Sequence, residues 1–467
     1  MSNNLPPLLE GATRTLAEFS AQIRYPAIPA EVIARMKTSV LDSIGCCLFG
    51  ATLPWTQKVQ AMVEEEGARP EASIFGHGTR TSVAGAVLVN ATAGHAFELD
   101  DIHKESIVHA GSIAVPVVLA LAERQGRVSG RTLLAAMTAG YEVGTRVGNA
   151  ATMDLFFRGF HPQGSSGVFV AAACAAHMLG LDAAHTQHAM GIVGSQAGGL
   201  MAAQEGAMVK RLHSGRAAQS GVYAALLAQR DFTGISDVLE AAYGGYLSTY
   251  SGKPNAARLT DGLGTVWEAG KVGYKPHACV TSIHAALDAF AHIIRENGLT
   301  PGDIAKVEVG MSQMTYTHCA WEYKAQGVTA AQMNLFYGLA VIAFDGVAFV
   351  AQYAQERLAE PRLLDFIGRI EAHVDDEIQA MGPAYRHAAR VAVTLRNGQR
   401  LNHEILNRRG SPENPLTPQD VEYKFRHVVE SCLSRCDIDR VVALVDRLDA
   451  LDDLSELISI LAAPAAA

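Results

Sequence analysis

The spacing of apolar residues changes once along this chain, near residue 267, and this change constrains the fold most strongly. From about residue 9 to residue 260, apolar and small residues recur at three-to-four spacing, as in VIARMKTSVLDSIGCCLFGA and VFVAAACAAHMLGL. That period marks one face of a helix, and the many Ala and Gly residues allow helices to approach closely. We therefore predict a compact helical domain with buried central helices.

After residue 267, apolar and polar residues alternate, which is the pattern of half-buried strands. The alternation runs through IAKVEVGMSQ and RIEAHVDDE, and RVAVTLRNGQRLNHEI contains Asn397-Gly398, a dipeptide typical of a type I′ hairpin turn. Helical segments such as TSIHAALDAFAHIIRENG lie between these strands. Residues 268–406 are thus predicted to form a smaller α+β domain.

A turn-rich segment, NRRGSPENPLTPQD, leads the chain back to helix at VEYKFRHVVESCLS. Thr417 followed by Pro418 matches a helix N-cap with proline in the first turn. We expect this tail to pack on the first domain, so that residues 1–267 and 407–467 form one discontinuous all-helical domain. The predicted fold class is mainly α, with a smaller α+β domain at 268–406, and 467 residues suffice for both.

The charge and hydropathy patterns exclude several classes of protein. The formal net charge is −9 and the Lys and Arg residues are scattered, unlike the basic surface of a nucleic-acid-binding protein. No apolar stretch reaches the roughly 20 residues that cross a bilayer. The N-terminal segment MSNNLPPLLEGATRTLAEFS lacks the basic and apolar regions of a secretory signal. We expect a cytoplasmic enzyme that binds neither nucleic acid nor membrane.

The seven cysteines form no CxxC pair. This pattern argues against a disulfide framework, a zinc ribbon and a ferredoxin-like cluster. An iron-sulfur cluster held by three dispersed cysteines, as in an aconitase-like dehydratase, is the weaker alternative.

The segment HAFELDDIHKESIVHAGSIAVPVVLALAE, residues 95–123, is the richest in ionisable side chains. A helix is predicted to end near its two adjacent acids, and a polar loop follows before the next helix. Two adjacent acids, two histidines and an amine within ten residues are hard to explain as core, although a solvated loop between helices is the alternative. The residues concerned are Asp100, Asp101, His103, Lys104 and His109.

Two further segments suit anion binding. His161 precedes Pro162 and a Gly-Ser-Ser-Gly turn that opens an apolar helix, where free backbone N–H groups favour an anion. Lys210, Arg211 and His213 lie near the start of a small-residue helix and could clamp a carboxylate. The alternatives are a histidine that only caps or packs, and an ordinary basic surface turn.

The segment GKVGYKPHACVTSIHAALDA lies where the predicted domains meet, and clefts between domains are favoured ligand sites. Lys275 and His277 occupy a Pro-interrupted loop and are the better candidates here. His284, four residues before Asp288 on a predicted helix, is expected to be structural.

Together with the late segment SPENPLTPQDVEYKF, these motifs resemble the MmgE/PrpD family in the same order and over nearly the whole chain. That family includes 2-methylcitrate dehydratase, cis-aconitate decarboxylase and iminodisuccinate epimerase. The resemblance implies a large all-helical domain, a smaller α+β lid and a cleft between them. It also implies a homodimer, a small polycarboxylate substrate, and no metal or organic cofactor.

The resemblance carries over, position by position, Glu98, Asp101, His109, His161, Lys210 and Lys275. As a mechanism, we expect His109 and His161 to act as the acid and base pair, with Asp101 orienting one imidazole. Substrate carboxylates are expected to be held by Lys210, Lys275 and His213. The predicted catalytic residues are Asp101, His109, His161 and Lys210, and the predicted substrate-binding residues are Glu98, His103, His213, Lys275 and His277.

Three positions depart from the family pattern: Ala110 follows His109, Arg211 follows Lys210, and Val280 stands where the decarboxylases resemble one another in having His. The last departure argues against a cis-aconitate decarboxylase, unless His277 has taken over that role. We therefore expect a 2-methylcitrate dehydratase-like hydro-lyase that abstracts a proton next to a carboxylate. The alternatives are an epimerase of an N-substituted aspartate and a non-catalytic helical dimer that binds a metabolite.

Overall fold

A computed structural model describes residues 8–464. The first seven residues, which begin the segment interpreted as lacking a secretory signal, and the last three lie outside this range, as do the outermost ends of the predicted discontinuous domain. No helix of the described chain is long and apolar enough to span a membrane.

Residues 8–271 are predominantly helical, as the three-to-four spacing predicts. Two pairs of two-residue strands interrupt the helices: β1 (Ala72–Ser73) pairs with β2 (Arg80–Thr81), and β3 (Ile102–His103) pairs with β4 (Val272–Gly273). The helices are α1 (Ala12–Gln22), α2 (Ala30–Ala51), α3 (Pro54–Glu65), α4 (Val83–Gly94), α5 (Gly111–Gln125), α6 (Gly130–Phe157), α7 (Pro162–Ser165), α8 (Gly167–Met178), α9 (Ala183–Gly194), α10 (Val209–Ala228) and α11 (Tyr246–Tyr250).

Small residues set the distances between the central helices. A Cβ on Gly144 of α6 would lie 2.1 Å from the Val170 side chain of α8, and one on Gly221 of α10 would lie 2.3 Å from the Ala171 side chain. Any larger residue at these glycines would force the helices apart. Helix α4 is buried along its whole length, so it and α8 form the centre of the core.

Helices and a four-stranded sheet alternate in the second part of the chain. The sheet order is β6-β5-β7-β8, with β5 and β6 parallel and the other pairs antiparallel. Its strands are β5 (Ile304–Met311), β6 (Ile370–Val374), β7 (Ala389–Leu395) and β8 (Arg400–Ile405). The helices are α12 (His284–Asn297), α13 (Gln313–Cys319), α14 (Val328–Met333), α15 (Leu335–Asp345), α16 (Pro361–Ile367) and α17 (Asp376–Ala380). The prediction of a mainly α fold with a small α+β part is confirmed.

The β7–β8 hairpin is present, but its predicted turn type is wrong. A type I′ turn needs positive φ at both central residues, whereas Gly398 has φ 87° and Asn397 is not in the left-handed region. The Gly398 N–H donates to the Leu395 carbonyl at 2.9 Å, and the Leu395 N–H donates to the Gln399 carbonyl at 2.8 Å. The loop is therefore three residues long, with glycine at the one position that requires positive φ.

The C-terminal tail forms α18 (Pro418–Val429), α19 (Arg435–Asp446) and α20 (Ser455–Ala462). Thr417 caps α18 as expected, because its hydroxyl accepts from the Asp420 N–H. Phe425 packs so closely on α2 that a Cβ on Gly45 would lie 3.0 Å from its ring. This packing supports the proposed discontinuous domain, whose boundaries at 267 and 406 remain a prediction.

Candidate functional site

The β3–β4 pair joins the acidic loop to the segment where the predicted domains meet. Ile102 pairs with Gly273 and His103 with Val272, so the loop after α4 and the loop before α12 lie side by side. A cavity opens beside them. The residues that line it are Glu98, Ile102, Lys104, Ile107, His109, Phe156, His161, Met201, Lys210, Lys275, Val280, Thr281, Ser282, Met314, His318, Met333, Arg386 and His387.

Five of the predicted site residues line this cavity, and one of them, Glu98, connects three cations. The Glu98 carboxylate accepts from Lys210, from Arg211 Nη1 at 2.7 Å and from Lys275 Nζ at 3.2 Å. Burial alone would raise the pKa of Glu98, but the charges of Lys210, Lys275 and Arg211 lower it well below its usual range. Glu98 is thus an anion held by a cation cluster.

The backbone at Glu98 is strained in a way that serves this contact. Glu98 has φ 55°, in the left-handed region that non-glycine residues seldom adopt. Such conformations cost about 1–3 kcal/mol and persist where the surrounding contacts hold them. Here the three charged hydrogen bonds to the carboxylate supply that support.

The acid that orients imidazoles is Asp100, so the prediction that Asp101 does so is wrong. The Asp100 carboxylate lies 2.7 Å from His95 Nδ1 and 3.2 Å from His109 Nδ1. Burial opposes ionisation of Asp100, but the neighbouring His109 and His95 lower its pKa well below its usual range. Because Nδ1 of His109 faces this carboxylate, Nε2 is the nitrogen available to a ligand.

Asp101 points away from the imidazoles and into the helical core. Its carboxylate accepts from the Gly111 N–H at 2.9 Å and from the Tyr141 hydroxyl at 2.6 Å. Burial raises the pKa of Asp101 to about 7, although the Tyr141 hydrogen bond opposes this rise. In the structure Asp101 therefore holds the start of α5 and does not line the cavity.

His161 lines the cavity and is coupled to His213. The two Nδ1 atoms are 2.8 Å apart, so one ring donates to the other. Burial lowers the pKa of His161 well below its usual range, and the charge of Lys210 lowers it further. Burial likewise lowers the pKa of His213 to about 4. Both rings are therefore neutral at pH 7, so His161 is in the unprotonated state that a base requires.

Burial also lowers the pKa of Lys210 to about 8, although the Glu98 carboxylate raises it. Lys210 is consequently still mainly an ammonium at pH 7, with a proton less tightly held than that of an exposed lysine.

Two predicted substrate-binding histidines are directed away from the cavity. The ring of His103 contacts Ser106 Oγ at 2.9 Å and Glu268 at 3.0 Å, so both nitrogens are occupied. His277 Nε2 lies 2.8 Å from the Asp288 carboxylate. Glu268 lies 165 residues after His103, and Asp288 lies 11 residues after His277. These acids orient the two rings, and neither histidine lines the cavity.

Sequence reasoning missed three charged or ionisable lining residues, His318, Arg386 and His387. All three belong to the second part of the chain. Arg386 and His387 lie just before β7, where the sequence offers only a short Tyr-Arg-His run ahead of an alternating strand. No helical or strand period connects them to the acidic loop.

His95, Asp100 and His109 each place one potential metal-ligand atom within 4.8 Å of the others. Two imidazoles and one carboxylate could bind a divalent cation, although the same atoms also make the close His–Asp contacts described above. No cysteine belongs to this group. The expectation of a metal-free site remains a prediction.

Family models match both parts of the chain. Residues 14–258 match the MmgE/PrpD N-terminal domain, and residues 277–450 match the MmgE/PrpD C-terminal domain. The chain belongs to the MmgE/PrpD family. The resemblance seen in the sequence motifs is thereby confirmed.

Among curated proteins, this MmgE/PrpD chain is similar to several that are named after one activity. It is 30% identical over 478 residues to the cis-aconitate decarboxylase of Aspergillus terreus, and the matched region covers 97% of this chain and 96% of the relative. It is 29% identical over 472 residues to the cis-aconitate decarboxylase-like protein oryM of Aspergillus oryzae, covering 96% and 97%. The human cis-aconitate decarboxylase is 26% identical over 473 residues, covering 98% and 96%.

Proposed function

We propose that this MmgE/PrpD chain is a cofactor-independent lyase that transfers a proton at a carbon next to a carboxylate of a small polycarboxylic acid. The observation that carries the proposal is the joint presence of His109, His161, Lys210 and Lys275 in one cavity wall. Proton transfer beside a carboxylate builds negative charge on that carboxylate, and fixed cations lower the barrier for this step.

Each side chain has a role that its surroundings support. His161 is the base, because burial and nearby cations keep its imidazole neutral. His109 is the acid, because the Asp100 carboxylate lies 3.2 Å from its Nδ1 and leaves Nε2 to face the substrate. Lys210 and Lys275 bind the substrate carboxylate next to the reacting carbon, and they exchange their contacts with Glu98 for contacts with the substrate.

Within this class, we propose a hydro-lyase similar to 2-methylcitrate dehydratase. Loss of water needs a base for the carbon-bound proton and an acid for the leaving hydroxyl. The cavity offers two imidazoles, that of His161, which contacts His213, and that of His109, which contacts Asp100. An epimerase of an N-substituted aspartate would use the same pair on opposite faces of one carbon, and the assay below separates the two.

A carboxy-lyase is the second candidate, since the relatives above are named cis-aconitate decarboxylases. The aliphatic Val280 in the cavity wall disfavours it, because an imidazole is expected there in a decarboxylase. His277 cannot replace that imidazole without leaving Asp288.

Proton NMR in D2O tests the proposal with citrate, 2-methylcitrate, cis-aconitate and an N-substituted aspartate. Deuterium uptake with loss of water identifies a dehydratase, uptake with inversion an epimerase, and uptake with release of CO2 a decarboxylase. His161→Gln and Lys210→Met should each abolish the exchange while the fold, followed by circular dichroism, is kept. If no compound exchanges or reacts with the wild type, the lyase proposal fails and the alternative of a non-catalytic metabolite-binding dimer takes its place.

A homodimer is part of the same proposal. Tyr223 and Leu227 are four residues apart on α10 and are 48% and 37% exposed, and Phe232 just beyond the helix is 56% exposed. Exposed apolar side chains grouped in this way are typical of subunit interfaces. Light scattering at micromolar concentration should give about twice the 49.6 kDa chain mass.

A further inference from the structure

A second group of cations borders the cavity, separate from the cluster around Glu98. Lys104 follows β3 and Arg386 precedes β7, and both line the cavity. Arg386 Nη2 donates to the Lys104 carbonyl, and Lys104 Nζ donates to the Ala384 carbonyl at 2.7 Å. These reciprocal contacts connect the helical part of the chain to the α+β part directly at the cavity.

Part of the Arg386 guanidinium has no acceptor. Its side chain is buried, with the residue 8% exposed, and Nη1 donates to the Pro383 carbonyl at 3.2 Å. Nε finds no hydrogen-bond partner in the described chain. An unsatisfied buried donor is costly, and the cost is larger for a charged group, so an acceptor is expected at this position.

Arg408 adds a buried charge beside the cavity. A Cβ on Gly273, which pairs with the cavity-lining Ile102, would lie 3.4 Å from Arg408 Nη2. Arg408 is 2% exposed, and none of its three guanidinium nitrogens has a partner among residues 8–464. Burial lowers the pKa of His387 well below its usual range, and the charges of Arg386, Arg408 and Lys104 lower it further. His387 lines the cavity, so the field of all three cations extends to the cavity wall.

The carboxylates near this group are already occupied or exposed. Glu413 lies 3.3 Å from Lys104 Nζ, and its side chain is 45% exposed. Asp288 is paired with His277. The contrast with the first cluster is clear: Glu98 accepts hydrogen bonds from all three of its cations, whereas the guanidinium donors here lack a carboxylate partner.

We infer that Lys104 and Arg386, supported by the charge of Arg408, form a second carboxylate subsite that binds the substrate carboxylate remote from His109 and His161. This inference rests on the proposed function for the chemical class of the ligand. It requires a substrate with at least two carboxylates, one for Lys210 and Lys275 and one for this subsite. Because Arg386 and Lys104 lie in different parts of the chain, the bound carboxylate also strengthens the contact between those parts.

Binding of an unreactive compound tests the subsite without any turnover. Tricarballylate carries three carboxylates, and butyrate carries one. In calorimetric titrations, Arg386→Gln should bind tricarballylate about 10- to 100-fold more weakly than the wild type, which is the range expected for loss of a charge-assisted hydrogen bond. Butyrate, which cannot occupy both subsites, should bind weakly to both proteins and show little difference between them.

Matched variants separate a binding role from a folding role. Arg386→Lys keeps the charge and should recover part of the affinity. Arg400→Gln removes an arginine of β8 that is 57% exposed and paired with Glu308, and this variant should bind like the wild type. If Arg386→Gln does not fold, Lys104→Gln takes its place in the comparison.

The outcomes distinguish this inference from the proposed reaction. If Arg386→Gln and Lys104→Gln fold and bind tricarballylate like Arg400→Gln, the subsite is refuted, whatever the enzyme turns over. If tricarballylate binding depends on Arg386 but no polycarboxylate reacts, the lyase proposal fails and the subsite stands.

Discussion

Replacing Lys424 by methionine should destabilise the protein strongly and also slow its turnover. Lys424 of α18 crosses to the helical core, where Nζ lies 2.7 Å from Asp42 Oδ1 and donates to the Leu99 carbonyl. Lys424 is 5% exposed and Asp42 is 2% exposed. Leu99 lies between Glu98 and Asp100, so the C-terminal tail directly supports the loop that carries both acids.

The expected loss of stability follows from what the substitution leaves behind. Methionine fills the space, but Asp42 then stays buried without its cation, and Oδ2 already lacks a partner in the described chain. Breaking a buried pair from one side costs about 3–5 kcal/mol. Burial already raises the pKa of Asp42, and removal of Lys424 raises it further. The loss of stability should therefore be smaller at lower pH, because protonation neutralises the buried carboxylate.

Denaturant unfolding of four proteins, the wild type, Asp42→Asn, Lys424→Met and the double variant, measures the coupling between the two residues. The double variant should recover most of the stability that Lys424→Met loses, because neither buried charge remains. Lys37→Met, which removes a partly exposed pair with Asp449, is the control and should cost less than about 1 kcal/mol. Turnover by Lys424→Met should fall about 10- to 100-fold, since the Glu98–Asp100 loop loses a support.

A cost below about 1 kcal/mol for Lys424→Met, equal to that of the control, would refute the reasoning. So would a double variant that is less stable than the single one, because the loss would then not come from an uncompensated Asp42.

Four further outcomes follow from the site. Because burial lowers the pKa of Lys210 to about 8, kcat/KM should fall above about pH 8 as the ammonium is lost, and Lys210→Arg should remove that fall if a permanent cation suffices. His161→Gln should reduce turnover by about 10²- to 10⁴-fold. His277→Gln should leave turnover nearly unchanged, because the His277 ring contacts Asp288 outside the cavity. Equal losses of turnover in the two variants would restore His277 to the site. Burial raises the pKa of Asp101 to about 7, so the folded state binds this proton more tightly than the unfolded chain. The stabilisation that this proton gives the folded state is full below pH about 4 and is lost as the pH rises through about 7. Asp101→Asn should reduce this pH dependence of the free energy of unfolding, measured from pH 5 to 8. An unchanged pH dependence in the variant would contradict the assignment. Dialysis against EDTA should not affect turnover, and a loss that one divalent cation restores would assign a metal to the two-histidine, one-carboxylate group.

Local patterns in the sequence determined much of this protein's secondary structure. Helices along the first half follow from apolar and small residues at helical spacing, and the β7–β8 hairpin follows from alternation ending at Asn397-Gly398. Both depend on neighbours within a few residues, which the sequence shows directly. Ordered motifs also indicated the MmgE/PrpD family, and five of the predicted site residues line one cavity.

The tertiary structure decided which chemical groups face one another. Asp100 and Asp101 are adjacent and of the same type, yet one contacts two imidazoles and the other contacts Tyr141 and the Gly111 N–H. Arg386 reaches the cavity from a segment 282 residues away from Lys104. The direction of a side chain in a loop depends on partners that are distant in sequence, because burial and charge pairing act through space. Only the folded chain brings those partners together.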